Sequence, residues 1–390
     1  MHIRLNKTIM ICFSLILLSC NDKTINETPV HSANSSSISS SILLEDIVEE
    51  YKYIPLETTE DCLIGEIENM QIVDEYMYIQ SKGVYCFDSN GKFIFAINKK
   101  GHAKSEFVNI NSFNVKDDKI YVYDNSQWKV LVFNSKNGNY IKTVNIPYSA
   151  VRIYGHSDKF IIDRSNIPCT KVPNDERFFT CMQNNPQKII ARYFTTKELR
   201  KSDHISQTSS ITNDGFLCSD YWNNSVWKAT VSGFQLYFHL DLPSNYSPPK
   251  RILEEMVEND QINPHNYKNE NVYWGLTQVQ ENKDFILGIV TGNKEIVTIM
   301  YEKEHSKTLL FKNIIGKDWQ PTDITAHASS NNHFYRADPA SNFVLMKLLM
   351  KKKNIPTKRD ADWDNYNTFN KIKSEDNPVI TMFKLKSLSE

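Results

Sequence analysis

The chain has 390 residues, with 45 Lys+Arg against 46 Asp+Glu and a net charge of −1. Hydrophobic residues make up 40% and charged residues 23%, a balance that excludes a disordered polymer, a collagen-like repeat and a multi-span membrane protein. Near-neutrality also excludes a general nucleic-acid binder, which needs a basic excess.

Met1–Cys20 reads as an address. Arg4 and Lys7 form a basic start, and Ile9–Leu18 is an apolar run too short to span a bilayer. It ends in Leu17-Leu18-Ser19-Cys20, which resembles a bacterial lipobox with Cys20 as the lipidated new N-terminus. Residues 1–19 are thus expected to be a lipoprotein signal peptide, and its removal takes the net charge from −1 to −3. Residues 20–46, with the serine-rich run Asn34–Ser41, are expected to form a flexible, lipid-anchored tether. Of the seven cysteines, five remain beyond Cys20: Cys62, Cys86, Cys169, Cys181 and Cys218. None has C-x-x-C spacing, so no zinc site follows. Either a Cys169–Cys181 disulfide or a set of buried thiols fits.

From residue 47 the chain alternates apolar and polar residues in short runs separated by turns, the period of strands. Met70–Val73, Tyr76–Ile79, Val84–Asp88 and Gly91–Ile97 form one four-strand unit. Ser112–Val115, Lys119–Asp124, Val130–Asn134 and Gly138–Val144 form the next, offset by 46 residues at Phe87/Phe133 and by 43 at Tyr78/Tyr121. Weaker copies cover Val151–Phe194, Ile205–Leu242 and Asn271–Ile315, and a last one begins near Asp323 and ends with Val379–Leu385. Four-strand units at this spacing predict an all-β six-bladed β-propeller over residues 47–390. Two insertions carry helical patterns. Pro243–Asn271 aligns Ile252, Leu253, Met256 and Val257. Pro339–Asn377 places Asp338 as N-cap and aligns Phe343, Leu345, Met346, Leu349 and Met350. Both insertions are expected on one face. Val48–Leu56 lacks partner strands nearby and Val379–Lys386 lacks a fourth strand, so their pairing is expected to close the ring. With 12 glycines but 39 asparagines, Asn is expected to do much of the turn work.

Three segments carry a further resemblance: Ile54-Pro55-Leu56-Glu57-Thr58-Thr59 with Leu63-Ile64-Gly65-Glu66-Ile67, Gly101–Phe107, and Glu375-Asp376-Asn377-Pro378-Val379-Ile380. Together they resemble a family of Gram-negative six-bladed β-propeller lipoproteins, NHL-like in fold. The resemblance implies the propeller and an envelope location, at the outer membrane on its periplasmic or cell-surface side; it implies little about activity. Where this family has a Gly-Pro-Gly-Glu-type turn, the present chain has Ala103-Lys104-Ser105-Glu106.

In a blade with strands A to D from axis to rim, the B–C and D–A connections share one face. Candidate ligand contacts on that face are Trp128, Tyr221 and Trp222 with Asp124, Asp163, Arg164, Asp220, Arg336 and Asp338. Aromatic faces with charged hydrogen-bonding groups suit a glycan or a peptide, and the arginines suit a carboxylate or phosphate. Each also has a structural explanation: an Asp after strand B can hold turn N–H groups, and a Trp can pack between blades. No hydrolase, P-loop, EF-hand or dinucleotide motif is present, so no catalytic residue, metal or cofactor is assigned. The favoured function is non-catalytic binding of a glycan, peptide or partner protein at the capped face. The alternatives are a propeller hydrolase or lyase acting on a polysaccharide or peptide at the axial mouth, and a structural subunit of an envelope complex.

Overall fold

The computed structural model describes residues 29–34, 37–147, 150–164, 177–184, 187–195, 205–220, 224–243, 246, 273–317, 319–352 and 363–388. The N-terminal stretch supplies β1 (His31–Asn34), β2 (Ile42–Leu43), a helical turn over Leu44–Ile47, and β3 (Val48–Pro55). Blade 1 comprises β4 (Asn69–Val73), β5 (Tyr76–Gln80), β6 (Val84–Asp88) and β7 (Phe93–Ile97). Blade 2 comprises β8 (Ser112–Lys116), β9 (Lys119–Asp124), β10 (Lys129–Asn134) and β11 (Tyr140–Asn145). Blade 3 comprises β12 (Arg152–His156), β13 (Lys159–Asp163), β14 (Arg177–Asn184) and β15 (Gln187–Thr195). Blade 4 comprises β16 (Ile205–Ile211), β17 (Gly215–Asp220), β18 (Ser225–Thr230) and β19 (Phe234–Asp241). Blade 5 comprises β20 (Tyr273–Glu281), β21 (Phe285–Gly292), β22 (Ile296–Glu302) and β23 (Lys307–Phe311), followed by β24 (Ile314–Ile315). Blade 6 comprises β25 (Ala328–Ser329), β26 (Phe334–Asp338) and β27 (Val379–Leu385), completed by β3 as its outer strand.

The fold is the expected six-bladed propeller, and the ring closes as expected. β27 pairs antiparallel with β3, from Val379 opposite Pro55 to Leu385 opposite Val48. The motifs that carry the family resemblance build this closure. The buried Asn377 donates its amide to the carbonyls of Glu57 and Cys62, both at 2.7 Å, and accepts the Ile64 N–H at 2.9 Å. Glu57 in turn accepts the Phe93 N–H at 2.8 Å, tying the closure to blade 1. Gly91, at φ +83°, passes so close that a Cβ would lie 2.3 Å from the Pro55 carbonyl.

The core is six wedges, one between each pair of neighbouring blades. On β9, Ile120 and Val122 pack against blade 1 with Phe113 and Leu131, while Tyr121 and Tyr123 pack against blade 3 with Ile153 and Phe160. Both faces of such a strand are buried, so it reads as an unbroken apolar run. Tyrosine suits this role because it buries a ring while its hydroxyl can reach a neighbouring backbone, as Tyr123 does in accepting the Ala150 N–H at 3.0 Å. Tyr78 donates to the Ser135 carbonyl of blade 2 at 3.1 Å, and Tyr154 to the Asn213 carbonyl of blade 4 at 2.8 Å.

The innermost strands have an unpaired edge at the axis, and side chains satisfy it. Gln71 exchanges two hydrogen bonds with the Val115 backbone, at 3.2 and 2.7 Å. Asn114 does the same with Gly155, at 2.9 and 2.7 Å. Gln280 donates to the His327 carbonyl at 3.0 Å. Each bridge staples one blade to the next where strand pairing cannot.

Residues 31–34 and 39–46, assigned above to the tether, lie along the ring as a strap. β1 adds to the outer edge of blade 4, parallel to β19, with Ala33 buried in the wedge between blades 4 and 5. Ser39 then bonds the backbone of Leu310 and Lys312, and β2 pairs with β24. Leu44 and Ile47 are buried in the wedge between blades 5 and 6. Edge pairing uses backbone alone, so a serine-rich stretch carries no sign of it.

The second insertion forms α1 (Ala340–Lys352) and α2 (Trp363–Lys371), packed against the outer strand of blade 6. Asn365 on α2 accepts the Tyr53 N–H at 3.1 Å and donates to the Tyr51 carbonyl at 2.8 Å, covering the free edge of β3. The apolar face expected for α1 divides. Phe343, Met346 and Met350 face the ring, whereas Leu345 and Leu349 are 57% and 49% exposed. At 100° per residue Leu345 falls on the far side of the helix and Leu349 on its flank. The helical pattern of the first insertion, residues 248–257, lies outside the described residues.

The turns also differ from expectation. Left-handed backbone falls on Asp74, Asp117, Asp118 and Ser157 in the A–B turns, and Asn224 is the one asparagine with positive φ among the described residues. Asparagines contribute through side-chain bonds instead: Asn134 accepts the Lys136 N–H at 2.9 Å and Asn137 the Asn139 N–H at 3.0 Å. The thiols of Cys62, Cys86 and Cys218 are buried. Cys181 is buried as well, with its Sγ 3.6 Å from the Val231 carbonyl; Cys169 lies outside the described residues.

Candidate functional site

Antiparallel blades place the A–B and C–D turns at one end of the ring and the B–C and D–A connections at the other. A cavity of about 440 Å³ opens among the A–B turns of blades 4, 5 and 6 and the end of β8. An adjoining recess of about 450 Å³ shares Lys116, Asn213, Ser330 and Asn331 with it. A narrower space of about 290 Å³ runs between the innermost strands and is lined by Gln280 and His327.

One wall of the mouth is a charged cluster. Glu281, at the end of β20, is 10% exposed at its side chain and accepts Lys228 Nζ at 2.8 Å and Lys303 Nζ at 2.9 Å. Tyr237 donates its hydroxyl to the same carboxylate. Lys228 also faces Asp214 at 3.3 Å. Two blades thus share one carboxylate: β18 and β19 of blade 4 supply Lys228 and Tyr237, and blade 5 supplies Glu281 and Lys303.

Burial pushes the Glu281 carboxyl up, but Lys303 and Lys228, with hydrogen bonds from Lys228 and Tyr237, outweigh it and hold the group below the usual carboxylate value. Burial would lower Lys228; Glu281 and then Asp214 reverse this and raise it. Burial, followed by the Glu281 charge, drives the Tyr237 hydroxyl well above its ordinary value. All three are moved away from neutrality, so they hold fixed charge and fixed donors rather than exchange protons at pH 7. His31 of β1 lies edge-on to Tyr237, with ring centroids 5.2 Å apart. Its imidazole is lowered by burial first and by Lys303 next.

Those of the residues singled out from sequence that the structure describes lie around the opposite end of the ring, and several are bound up with neighbouring backbone. Asp124 is buried and accepts four hydrogen bonds: from Val108 N–H at 2.7 Å, Ser126 N–H at 2.9 Å, Gln127 N–H at 3.2 Å and the Gln127 amide at 2.8 Å. Trp128 is half-buried in a left-handed turn at φ 53°, and its carbonyl accepts the Ile146 N–H at 2.8 Å. Asp163 is buried 3.7 Å from Arg152, and Arg164 beside it is 2% exposed. Arg336 pairs with Asp338 at 2.9 Å and Asp323 at 2.8 Å. Asp220 ends β17. Tyr221, Trp222 and Cys20 lie outside the described residues.

Sequence reasoning passed over Glu281, Lys228 and Lys303 because the first two sit inside or at the end of strands and the third in a turn. The available signal was charge at buried strand positions, where an unpaired charge is costly. Among the described residues no group of three or more His, Cys, Asp or Glu is placed to hold a metal ion. Among them, too, no helix is long and apolar enough to cross a membrane.

The family model described as a domain of unknown function, DUF4934, matches residues 27–384, so the chain belongs to that family. No curated protein matches the sequence. Among solved structures, a protein of Bacteroides fragilis NCTC 9343 described as exported is similar, with a TM-score of 0.68 and 15% identity over 92% of this chain and 100% of that one. The likeness shows a shared fold. More remote are BamB from Moraxella catarrhalis (TM-score 0.30, 10% identity, 82% of this chain and 83% of that one) and a Myxococcus xanthus glutaminyl cyclase (0.34, 8%, 67% and 95%).

Proposed function

We propose that this DUF4934 member is a lipid-anchored envelope protein, tethered through Cys20, whose propeller binds a polar ligand in the A–B mouth without transforming it. The observation that carries the reading is the Lys228–Glu281–Lys303 cluster on the wall of the 440 Å³ cavity. Groups held in a fixed charge state favour recognition over acid–base catalysis. A concave space of this volume with a few convergent polar groups is the usual form of a small-ligand site. The opposite rim supports the reading less well, because Asp124, Arg336 and Asp338 already spend their hydrogen bonds within the protein. The lipobox at Cys20 supports the anchor: Cys20→Ala is expected to abolish labelling by radioactive palmitate and to release the protein from membranes.

A glycan and peptide array probed with the purified protein tests the binding reading. A ligand lost on Asn331→Trp, which fills the mouth from an exposed turn, and kept on Arg336→Ala and Trp222→Ala supports it. A ligand kept on Asn331→Trp and lost on the other two overturns the placement.

A further inference from the structure

Four lysines reach the mouth cavity: Lys116 from blade 2, Lys228 from blade 4, and Lys283 and Lys303 from blade 5. Among the described residues only two carboxylates, Asp214 and Glu281, share the lining with them. Both carboxylates are already paired with Lys228 or Lys303. The wall therefore carries a formal excess of two positive charges, on a chain whose net charge after signal removal is −3. A positive concavity with buried walls focuses the field on an incoming anion. In the adjoining recess Asp74 and Asp117 line the far side, and Asp117 is 3.0 Å from His156. The field thus has a direction, with the anionic end of a ligand drawn toward blades 4 and 5.

The rest of the lining narrows the chemistry. Apolar side chains are few, namely Met70, Ile211 and Ala328, whereas Asn213, Asn331 and Ser330 offer amides and a hydroxyl. Such groups match ligand hydroxyls in both donor and acceptor sense. The ring of Tyr237 is not a stacking platform for a neutral sugar, because Lys228 Nζ lies 4.9 Å and Lys303 Nζ 5.8 Å from its centroid. A peptide would need a broad apolar anchor or an open strand edge; Met70, Ile211 and Ala328 are the few apolar side chains of the lining, and side chains already bridge the axial edge at Val115, Gly155 and His327. Building on the mouth as the binding site, we propose that its ligand is an acidic saccharide, whose carboxylate or sulfate meets the lysine wall and whose hydroxyls meet the amides.

Calorimetric titration of the purified protein tests this with three oligosaccharides of equal length: one uronic acid-based, one sulfated and one neutral. The expected result is binding of an acidic member at least tenfold tighter than the neutral one, weakening as salt rises from about 50 to about 300 mM. The stronger of the two acidic ligands identifies the anion. Lys283→Gln is expected to weaken binding about fivefold and Asp214→Asn to tighten it about fivefold, the scale of one exposed charge at short range. Opposite signs separate electrostatics from general damage. Equal binding of acidic and neutral saccharides overturns the proposal, as does weakening by Asp214→Asn or no acidic binding at all. A neutral ligand lost on Asn331→Trp overturns this inference alone; an acidic ligand insensitive to Asn331→Trp overturns the mouth as the site.

Discussion

Replacing Glu281 by Gln keeps the shape of the side chain and removes its charge. The carboxylate accepts Lys228 Nζ at 2.8 Å, Lys303 Nζ at 2.9 Å and the Tyr237 hydroxyl. Breaking a buried ion pair from one side typically costs about 3–5 kcal/mol. Here the two lysines keep 15% and 16% exposure, and Lys228 retains Asp214 at 3.3 Å. The expected loss is therefore at the low end, about 3 kcal/mol. Combining Glu281→Gln with Lys303→Met should recover about 2 kcal/mol of coupling, since a charged hydrogen bond can be lost only once. Urea unfolding followed by circular dichroism measures both. The pH dependence adds a signed check. The carboxyl lies below its ordinary value in the folded chain, so its contribution is complete above that value and is lost as pH falls through the folded one. Lys228 is raised, so its contribution holds below the ordinary lysine value and disappears as pH rises through the folded one. Glu281→Gln should flatten the acid limb. A change under about 0.5 kcal/mol, with no coupling to Lys303, would refute the claim that this cluster is held by mutual charge.

Three further outcomes are expected. Asn377→Ala leaves the Ile64 N–H and two carbonyls without their partner, at about 3 kcal/mol, and limited proteolysis should then cut first between Thr58 and Gly65; an unchanged digestion pattern counts against Asn377 as the closure pin. In Gly155→Ala the new Cβ would lie 2.3 Å from the buried Tyr121 ring, so a loss of about 2 kcal/mol is expected, and most of it should vanish when measured in a Tyr121→Leu background. Because His31 is pushed down in the folded chain by burial and then Lys303, the unfolded strap binds protons more readily and strap docking should strengthen as pH rises. Hydrogen exchange at residues 31–34, corrected for intrinsic rates, should be faster below the ordinary histidine value than above it, and His31→Phe should abolish the difference.

How much was legible in the sequence follows from what each feature uses. The blades were legible because alternation and a repeat of 43–46 residues are properties of consecutive residues. Closure was legible because Val48–Leu56 and Val379–Lys386 were visibly incomplete, and the structure adds Asn377 as the pin. The strap was not, because β1 and β2 pair through backbone, which every residue type offers alike. The α1 stripe was half legible: the apolar residues surround the helix, and only the position of blade 6 decides that Phe343 and Met350 are covered while Leu345 and Leu349 are not.

The candidate site marks the boundary most clearly. By itself the sequence determined a nearly neutral chain of repeated four-stranded units, because composition and period are both local. Which end of the ring holds a charged cavity was decided only by tertiary structure. Lys228, Glu281 and Lys303 are 53 and 22 residues apart, and only the angular stacking of blade 4 on blade 5 brings two ammonium groups and a hydroxyl onto one carboxylate. That convergence depends on blade rotation and register, which no spacing along the chain records.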